Sequence, residues 1–406
     1  MATVARVFGL QFRFIGVGWL VVSSEGLDLS PIWLGIVGLA NALPTIVLSV
    51  PAGMVADRYD HQRILLSSQA ATAALTLLLA VLILLDAVDI WMLIAWSVVV
   101  GTLAALAVPT LSAIVPRLID MRVMASAVAL TSSVWNTMRI LGPAAAGVLI
   151  AVIGIGQAFF VTCAGFTLSA ILIATLRLEP LERRAGSGDG GMLEGLRYIF
   201  SHRIFVATIG LSFFTSIFGM SYQTLLPVFA DDILDVGSQG FGFMEAAAGL
   251  GGFLGTLAMI KIGGGRFAGP TMVAAAALFG LFIAGFAGSR HLPLSMVLLF
   301  CAGFSSSMYL NIGMTVLQIL VPDELRGRVM GVWSMTWFLA AIGGLPASAL
   351  AEWIGPPLTV ALGALSVSTF AILLFTLSGE LRSLARLQAT REPAAPNGRR
   401  TNEPDA

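Results

Sequence analysis

Pro51-Ala52-Gly53-Met54-Val55-Ala56-Asp57-Arg58-Tyr59-Asp60-His61-Gln62-Arg63 joins two apolar runs, residues 31–56 and 64–85, through a short charged turn. Each run exceeds the roughly 20 apolar residues that a helix needs to cross a ~30 Å hydrocarbon core. The same alternation continues outward in both directions. Residues 7–27 precede these runs, and 90–115, 123–153 and 157–177 follow them. Beyond a polar stretch come 204–230, 239–262, 268–288, 293–320, 328–352 and 356–378. That makes six spans and then six more. The breaks between them, such as Asp86-Ala87-Val88-Asp89 and Gly355-Pro356-Pro357, are charged or turn-forming. No segment alternates polar and apolar residues with period two, which excludes barrel strands. Arg13 interrupts residues 1–27 and no small-residue cleavage site follows, so this segment reads as the first span and not a signal peptide.

Composition agrees. Hydrophobic residues make up 57% of the 406 and charged residues only 11%, against about 25% charged in soluble domains. The mean hydropathy is +0.93. A chain this poor in charge cannot cover a water-soluble globule, and 22 Lys+Arg balanced by 22 Asp+Glu leave no basic excess for nucleic acid. The expected fold class is therefore an all-α membrane protein of twelve transmembrane helices. Cys163 and Cys301 both lie inside apolar runs, so no disulfide framework is implied.

Charge asymmetry sets the expected orientation. Odd-numbered connections carry acids: Glu25 and Asp28, Asp86 and Asp89, then Asp231, Asp232 and Asp235. Even-numbered connections carry Arg58 and Arg63, Arg117 and Arg122, Arg183 and Arg184, Lys261 and Arg266, Arg326 and Arg328. Both termini are thus expected in the cytoplasm, with the chain in the inner (plasma) membrane. The expected domains are a six-helix bundle over 1–177, a cytoplasmic central linker over 178–203, a second bundle over 204–378, and a disordered cytoplasmic tail over 379–406.

The halves share a repeated element. Val115-Pro116 precedes Arg122-Val123-Met124, and Val321-Pro322 precedes Arg328-Val329-Met330, each pair separated by 206 positions. Both copies lie at the entry to a long helix, the fifth span and the eleventh. A fixed offset at one topological point indicates duplicated six-helix units, an architecture of secondary transporters with a substrate site between the repeats.

The 51–63 loop resembles the signature between helices 2 and 3 of the major facilitator superfamily. Leu225-Leu226-Pro227-Val228-Phe229-Ala230 and Val321-Pro322-Asp323-Glu324-Leu325-Arg326-Gly327-Arg328-Val329-Met330-Gly331 resemble its branch of enterobactin-exporter-like and macrolide-efflux-like proteins. Asn136-Thr137-Met138-Arg139-Ile140-Leu141-Gly142-Pro143 is similar to the helix 5 pattern of that branch. The likeness runs from about residue 8 to 378 and implies two pseudo-symmetric bundles, alternating access, and more chain before the first span than this sequence has.

The loop's chemistry suggests a latch. Gly53 lets a neighbouring helix approach closely, and Asp57 sits where a carboxylate is favoured by the N-terminus of another helix. The resemblance makes that partner the eleventh helix, entered near Arg326 and Arg328. Arg58 and Arg63 are expected to pair with acids on the cytoplasmic face. Asp60 and His61-Gln62 depart from the glycine and basic residues usual in the family's loop.

Gly142 and Pro143, with Gly147, resemble the glycine–proline motif of antiporters in this superfamily. Proline removes a backbone hydrogen bond and glycine loosens the helix, so either a hinge or close packing is expected. Gly251 and Gly255, and Gly343 and Ala347, repeat small-residue spacing and are expected at the interface between bundles.

Ionisable residues inside spans are costly and default to functional candidates. Away from the span ends there are three: Arg13, Arg139 and Glu245. Arg13 either faces a cavity and attracts an anion or snorkels to the inner headgroups, and snorkelling is the expected arrangement. Arg139 and Glu245 are expected to form an ion pair when the outer side is closed, with Glu245 as a proton site. Asn136, Phe214, Phe218, Tyr222, Gln223, Tyr309 and Asn311, together with Arg13, are candidates for lining a substrate cavity.

No metal cluster, nucleotide-binding loop or nucleophile–base pair is visible, so no cofactor or enzymatic activity is expected. Energy then comes from an ion or substrate gradient. The fourth span lacks the arginine usual in drug/proton antiporters of the superfamily, so protons as coupling partner rest on the branch alone. The expected function is efflux of a small organic molecule by a monomer in the lipid bilayer. A lysolipid or lipid flippase of the same fold and a transport-inactive sensor or scaffold remain open.

Overall fold

The computed structural model describes residues 1–118, 124–175, 192–262 and 268–378, and within them no strand is present. The 379–406 tail, Arg122, Arg183, Arg184, Arg266 and most of the expected linker lie outside the described residues. So do the side chains of Asp57 and Arg58 and the surroundings of Gly53.

The first six spans are α1 (Ala2–Val22), α2 (Ile32–Arg58), α3 (His61–Leu84), α4 (Ile90–Leu118), α5 (Met124–Ile153) and α6 (Ile155–Ala174). A short helix, α7 (Met192–Ser201), precedes the seventh span, which is α8 (Arg203–Phe214) followed by α9 (Tyr222–Val228). Then come α10 (Gly237–Ile262), α11 (Ala268–Gly288), α12 (Leu292–Leu320), α13 (Asp323–Ser334) with α14 (Thr336–Ile354), and α15 (Pro356–Leu377). Eleven helices are long and apolar enough to cross a membrane on the described residues, and Ile32–Leu48 of α2 is a twelfth, shorter apolar stretch. Leu39, Leu43 and Val47 continue into a helix of 27 residues, which is span length.

The turns display the internal duplication. Asp28, between the first and second spans, and Asp235, between the seventh and eighth, both adopt left-handed backbone, with φ of 48° and 51°. Aspartate tolerates this region because its short side chain bonds locally. Gly154 and Gly355 join the fifth span to the sixth and the eleventh to the twelfth, with φ of 88° and 85°. Only glycine occupies that conformation without strain. Two different turns therefore recur at matching places in the two halves.

The odd-numbered connections, with Asp28, Asp86 and Asp235, lie at one end of the bundle (the acidic-loop end) and the chain termini of the helical body at the other. The halves press together at the acidic-loop end. Ser238 of α10 donates its hydroxyl hydrogen to the Gly147 carbonyl of α5 at 3.1 Å. A side chain on Gly35 of α2 would meet Leu345 Cα at 2.7 Å and Ser348 at 3.0 Å on α14. Trp19 of α1 stacks on Phe241 of α10 with ring centres 6.4 Å apart. Towards the termini end, Leu43, Val47, Leu130, Trp135 and Trp337 are exposed.

Several expectations are corrected here. The seventh span is not one regular helix: wide π turns at Thr215–Gly219 and Phe229–Ile233 interrupt it. Residues 192–201, inside the stretch expected as linker, are helical, with Ile199 buried in the core and Phe200 exposed. The first span begins at Ala2, which brings Arg6 inside it as a fourth intramembrane charge. Gly251 and Gly255 do not face the other bundle. They pack on the backbone of Phe300 and Phe304 of α12, while Gly343 packs on Ile217, all within the second half. A small residue permits close approach but does not choose the neighbour.

Candidate functional site

A cavity of about 310 Å³ lies between the halves, midway along the bundle. From the first half come Arg13 and Phe14 of α1, Asn41 of α2 and Trp96 of α4; from the second, Gln223 and Thr224 of α9, Phe241 of α10 and Trp337 of α14. Its walls are mostly apolar, with a few polar groups converging, which is the composition of sites for small organic molecules. The polar groups are held by the helices around them. The Asn41 amide donates to the Ser97 carbonyl at 3.2 Å, and Thr45 one turn on donates to the Gly101 carbonyl at 2.9 Å. The Trp96 indole N–H donates to the Leu75 carbonyl at 3.0 Å, fixing the ring at the wall.

Of the residues expected at a cavity, Arg13 and Gln223 line it. Arg13 therefore faces the interior and does not snorkel. Tyr222 and Tyr309 are 3% and 1% exposed and belong to the core of the second half, against Phe279. Phe214 stacks on Phe370 of α15, ring centres 4.3 Å apart, and Phe218 leans on Phe214. Asn311 donates to Thr256 Oγ1 at 3.3 Å and to the Ser307 carbonyl at 2.8 Å, tying α12 to α10. Asn136 donates to the Ser132 carbonyl of its own helix at 2.9 Å. None of these six is among the cavity-lining residues. Asn41, Trp96, Thr224, Phe241 and Trp337 were not anticipated, although an amide and two tryptophans inside otherwise aliphatic spans are a readable signal.

Arg139, Glu245 and Tyr222 lie within electrostatic reach of one another where α5 meets α10. A side chain on Gly249, one turn beyond Glu245, would meet the Arg139 carbonyl at 2.7 Å. Yet the expected ion pair is not formed. Arg63–Asp60, Arg326–Asp323 and Arg328–Glu194 are the ion pairs among the described residues, and Glu245 Oε1 is buried without a hydrogen-bond partner. The acidic-loop end is closed in this structure, so closure by itself does not bring the two charges together.

The glycine–proline segment separates into two roles. Gly147 and Gly242 face each other across the α5–α10 contact, each Cα 3.0 Å from where the other's Cβ would stand. Gly142 instead faces α1, where a side chain would meet Gln11 Cβ at 2.6 Å. Helix α5 runs without interruption from Met124 to Ile153 through Pro143.

At the termini end, Arg63 reaches Asp60 three residues earlier at 3.9 Å, and Arg326 reaches Asp323 at 2.5 Å. Both pairs are local and exposed. Arg328, expected in the latch, pairs with Glu194 of α7 and so joins α13 to the short helix that precedes the seventh span.

Comparison with known proteins completes the assignment. The Staphyloferrin A transporter of Staphylococcus aureus is 26% identical over 375 residues, covering 91% of this chain and 92% of that protein. The multidrug efflux pump Tap of Mycolicibacterium fortuitum is 27% identical, covering 86% and 87%. The crystal structure of a bacterial homolog of the human lysosomal transporter Spinster, inward-facing and unoccupied, matches with TM-score 0.66 at 16% identity, over 97% of this chain and 98% of that one. A model described as transmembrane secretion effector matches residues 1–401. With twelve apolar spans duplicated about a central cavity and a family match over nearly its whole length, the chain belongs to the transmembrane secretion effector family of major facilitator superfamily transporters.

Proposed function

We propose that this protein is a secondary transporter that expels a small organic molecule by alternating access. The observation that carries the reading is a cavity walled by both halves, sealed at the acidic-loop end by close helix contacts. Rocking the halves about that cavity exposes it to one side and then the other. The positive-inside pattern supports a termini end in the cytoplasm of the inner membrane, which makes this an inward-facing arrangement. Relatives named as a staphyloferrin A transporter and a multidrug efflux pump support organic solutes as cargo and outward movement. The cavity is complete within one chain, which supports a working monomer. Glu245 is the proton site of this account: its carboxylate is buried, unbonded at Oε1 and placed at the contact that must part when the outer end opens.

Everted membrane vesicles test the reading. With an imposed proton gradient they should accumulate fluorescent organic dyes in a manner that depends on this protein. Failure to move any of a broad dye panel by correctly inserted protein would contradict it, and would favour a sensor or scaffold of the same fold.

A further inference from the structure

Helix α1 places two arginines on one face, since Arg6 and Arg13 are seven residues apart, close to two turns. Arg13 lines the cavity. Arg6 lies two turns towards the termini end, its guanidinium 5.8 Å from the centre of the Trp135 ring of α5 and its Nε enclosed without a hydrogen-bond partner. Neither arginine takes part in an ion pair among the described residues. The described acids sit almost wholly at the helix ends; the one inside the bundle, Glu245, stands beside Arg139 on the α5–α10 contact. A chain with no net charge therefore sets two arginines without an ion-pair partner on one face of its first helix, one at the cavity and one two turns beyond it.

We propose that Arg6 and Arg13 form an anion track, in which Arg6 captures and Arg13 seats a carboxylate or phosphate carried by the transported molecule. This rests on the transport reading and names its substrate class: a compact organic anion whose ring or chain packs on Trp96, Trp337 and Phe241. Uncompensated charge in an apolar wall is costly, and an incoming anion supplies the counter-charge that the protein omits. Arginine suits the role because its planar fork binds oxyanions in pairs of hydrogen bonds and keeps its proton. The Trp135 face holds the Arg6 guanidinium in place by its ring quadrupole while leaving its terminal N–H groups for the ligand.

Two xanthene dyes of similar size and opposite charge make the test, 5-carboxyfluorescein and rhodamine 6G, with purified protein in lipid nanodiscs. Fluorescence anisotropy should show carboxyfluorescein binding that falls at least tenfold in Arg13→Gln and is largely kept in Arg13→Lys. Arg6→Gln should slow carboxyfluorescein association, the more so at low salt, where steering is strongest. Rhodamine binding should be unchanged or improved in Arg13→Gln. Competition by citrate and not by lysophosphatidylglycerol would assign the track to soluble organic anions, and the reverse to a lysolipid headgroup. Tighter binding of rhodamine than of carboxyfluorescein by the unmodified protein would overturn the proposal, as would equal loss of both dyes in Arg13→Gln or absence of any anion binding. Carboxyfluorescein that binds but is not moved by reconstituted vesicles would instead remove the transport reading and leave the anion site standing.

Discussion

Gly147 and Gly142 stand five residues apart and do different work. A side chain at Gly147 would run into the Ser238 carbonyl and Gly242 Cα, backbone atoms of the other half that cannot rotate away. Overpacking of this kind costs about 1–3 kcal/mol, and here it falls only on the state closed at the acidic-loop end. Gly147→Leu should thus shift the balance about 5- to 150-fold towards the state open at that end. Labelling of a cysteine placed at Ser30 should rise accordingly, and unchanged labelling would contradict the assignment. At Gly142 the clash is with Gln11 of α1, inside one half. Gly142→Leu should lower the yield of folded protein without altering that balance, as close packing and not a hinge requires. Glu245 offers a second residue-level test. Replacing it by Gln keeps shape and removes the titrating group, so Glu245→Gln should abolish dye movement driven by a proton gradient while sparing dye-for-dye exchange across reconstituted vesicles. Equal loss of both would place Glu245 in substrate binding or folding and not in coupling. These residues were legible as candidates because a charge or glycine in an apolar span stands out. Their partners were not, since spacing along one helix says nothing of which helix packs against it.

Helix α7 shows what an element adds. Its Glu194 pairs with Arg328 of α13, and Gly195 packs so closely that an added Cβ would lie 2.8 Å from Arg328 Cβ. The pair is solvent-exposed, and such pairs contribute about 0.2–1 kcal/mol. Glu194→Gln should therefore leave the thermal midpoint within ~4 °C of the parent. Gly195→Leu should displace α7 from α13 and increase cleavage of the 178–203 stretch by added protease, whereas protection equal to the parent would show that α7 is held by other contacts. This helix was readable in part: Leu196 and Ile199 against Glu194 and Arg197 give an amphipathic turn within a stretch otherwise rich in glycine and charge. The spans themselves were more legible, because apolar runs bounded by charge map directly onto helices. The two π turns of the seventh span were hidden, since Thr215–Gly219 and Phe229–Ile233 contain nothing that forbids regular helix. The start of α1 was not legible for a simpler reason: Arg6 precedes the apolar run at 7–27, and a charge there does not mark how far the helix extends before it, which is to Ala2.

At the scale of the molecule, α2 and the α13–α14 pair run the full depth of the bundle on opposite sides of the cavity. Gly35 of α2 meets Leu345 and Ser348 of α14 near the acidic-loop end. Rocking about the cavity must open one end of this pair as it closes the other. The duplication that makes such rocking natural was legible in the 206-residue offset, and the matched turns at Asp28 and Asp235 and at Gly154 and Gly355 extend it. Which end is closed was not legible, because one sequence encodes both states. Spin labels at Ser30 and Glu352 report the acidic-loop end, and labels at Tyr59 and Glu324 the termini end, once the free Cys163 and Cys301 are replaced. Double electron–electron resonance in lipid should give a short Ser30–Glu352 distance with a long Tyr59–Glu324 distance in the resting protein. Adding carboxyfluorescein with a proton gradient should populate the reverse combination, the two distributions trading in opposite directions. Distances that change together, or stay fixed at both ends while reconstituted vesicles transport dye, would contradict alternating access about this cavity.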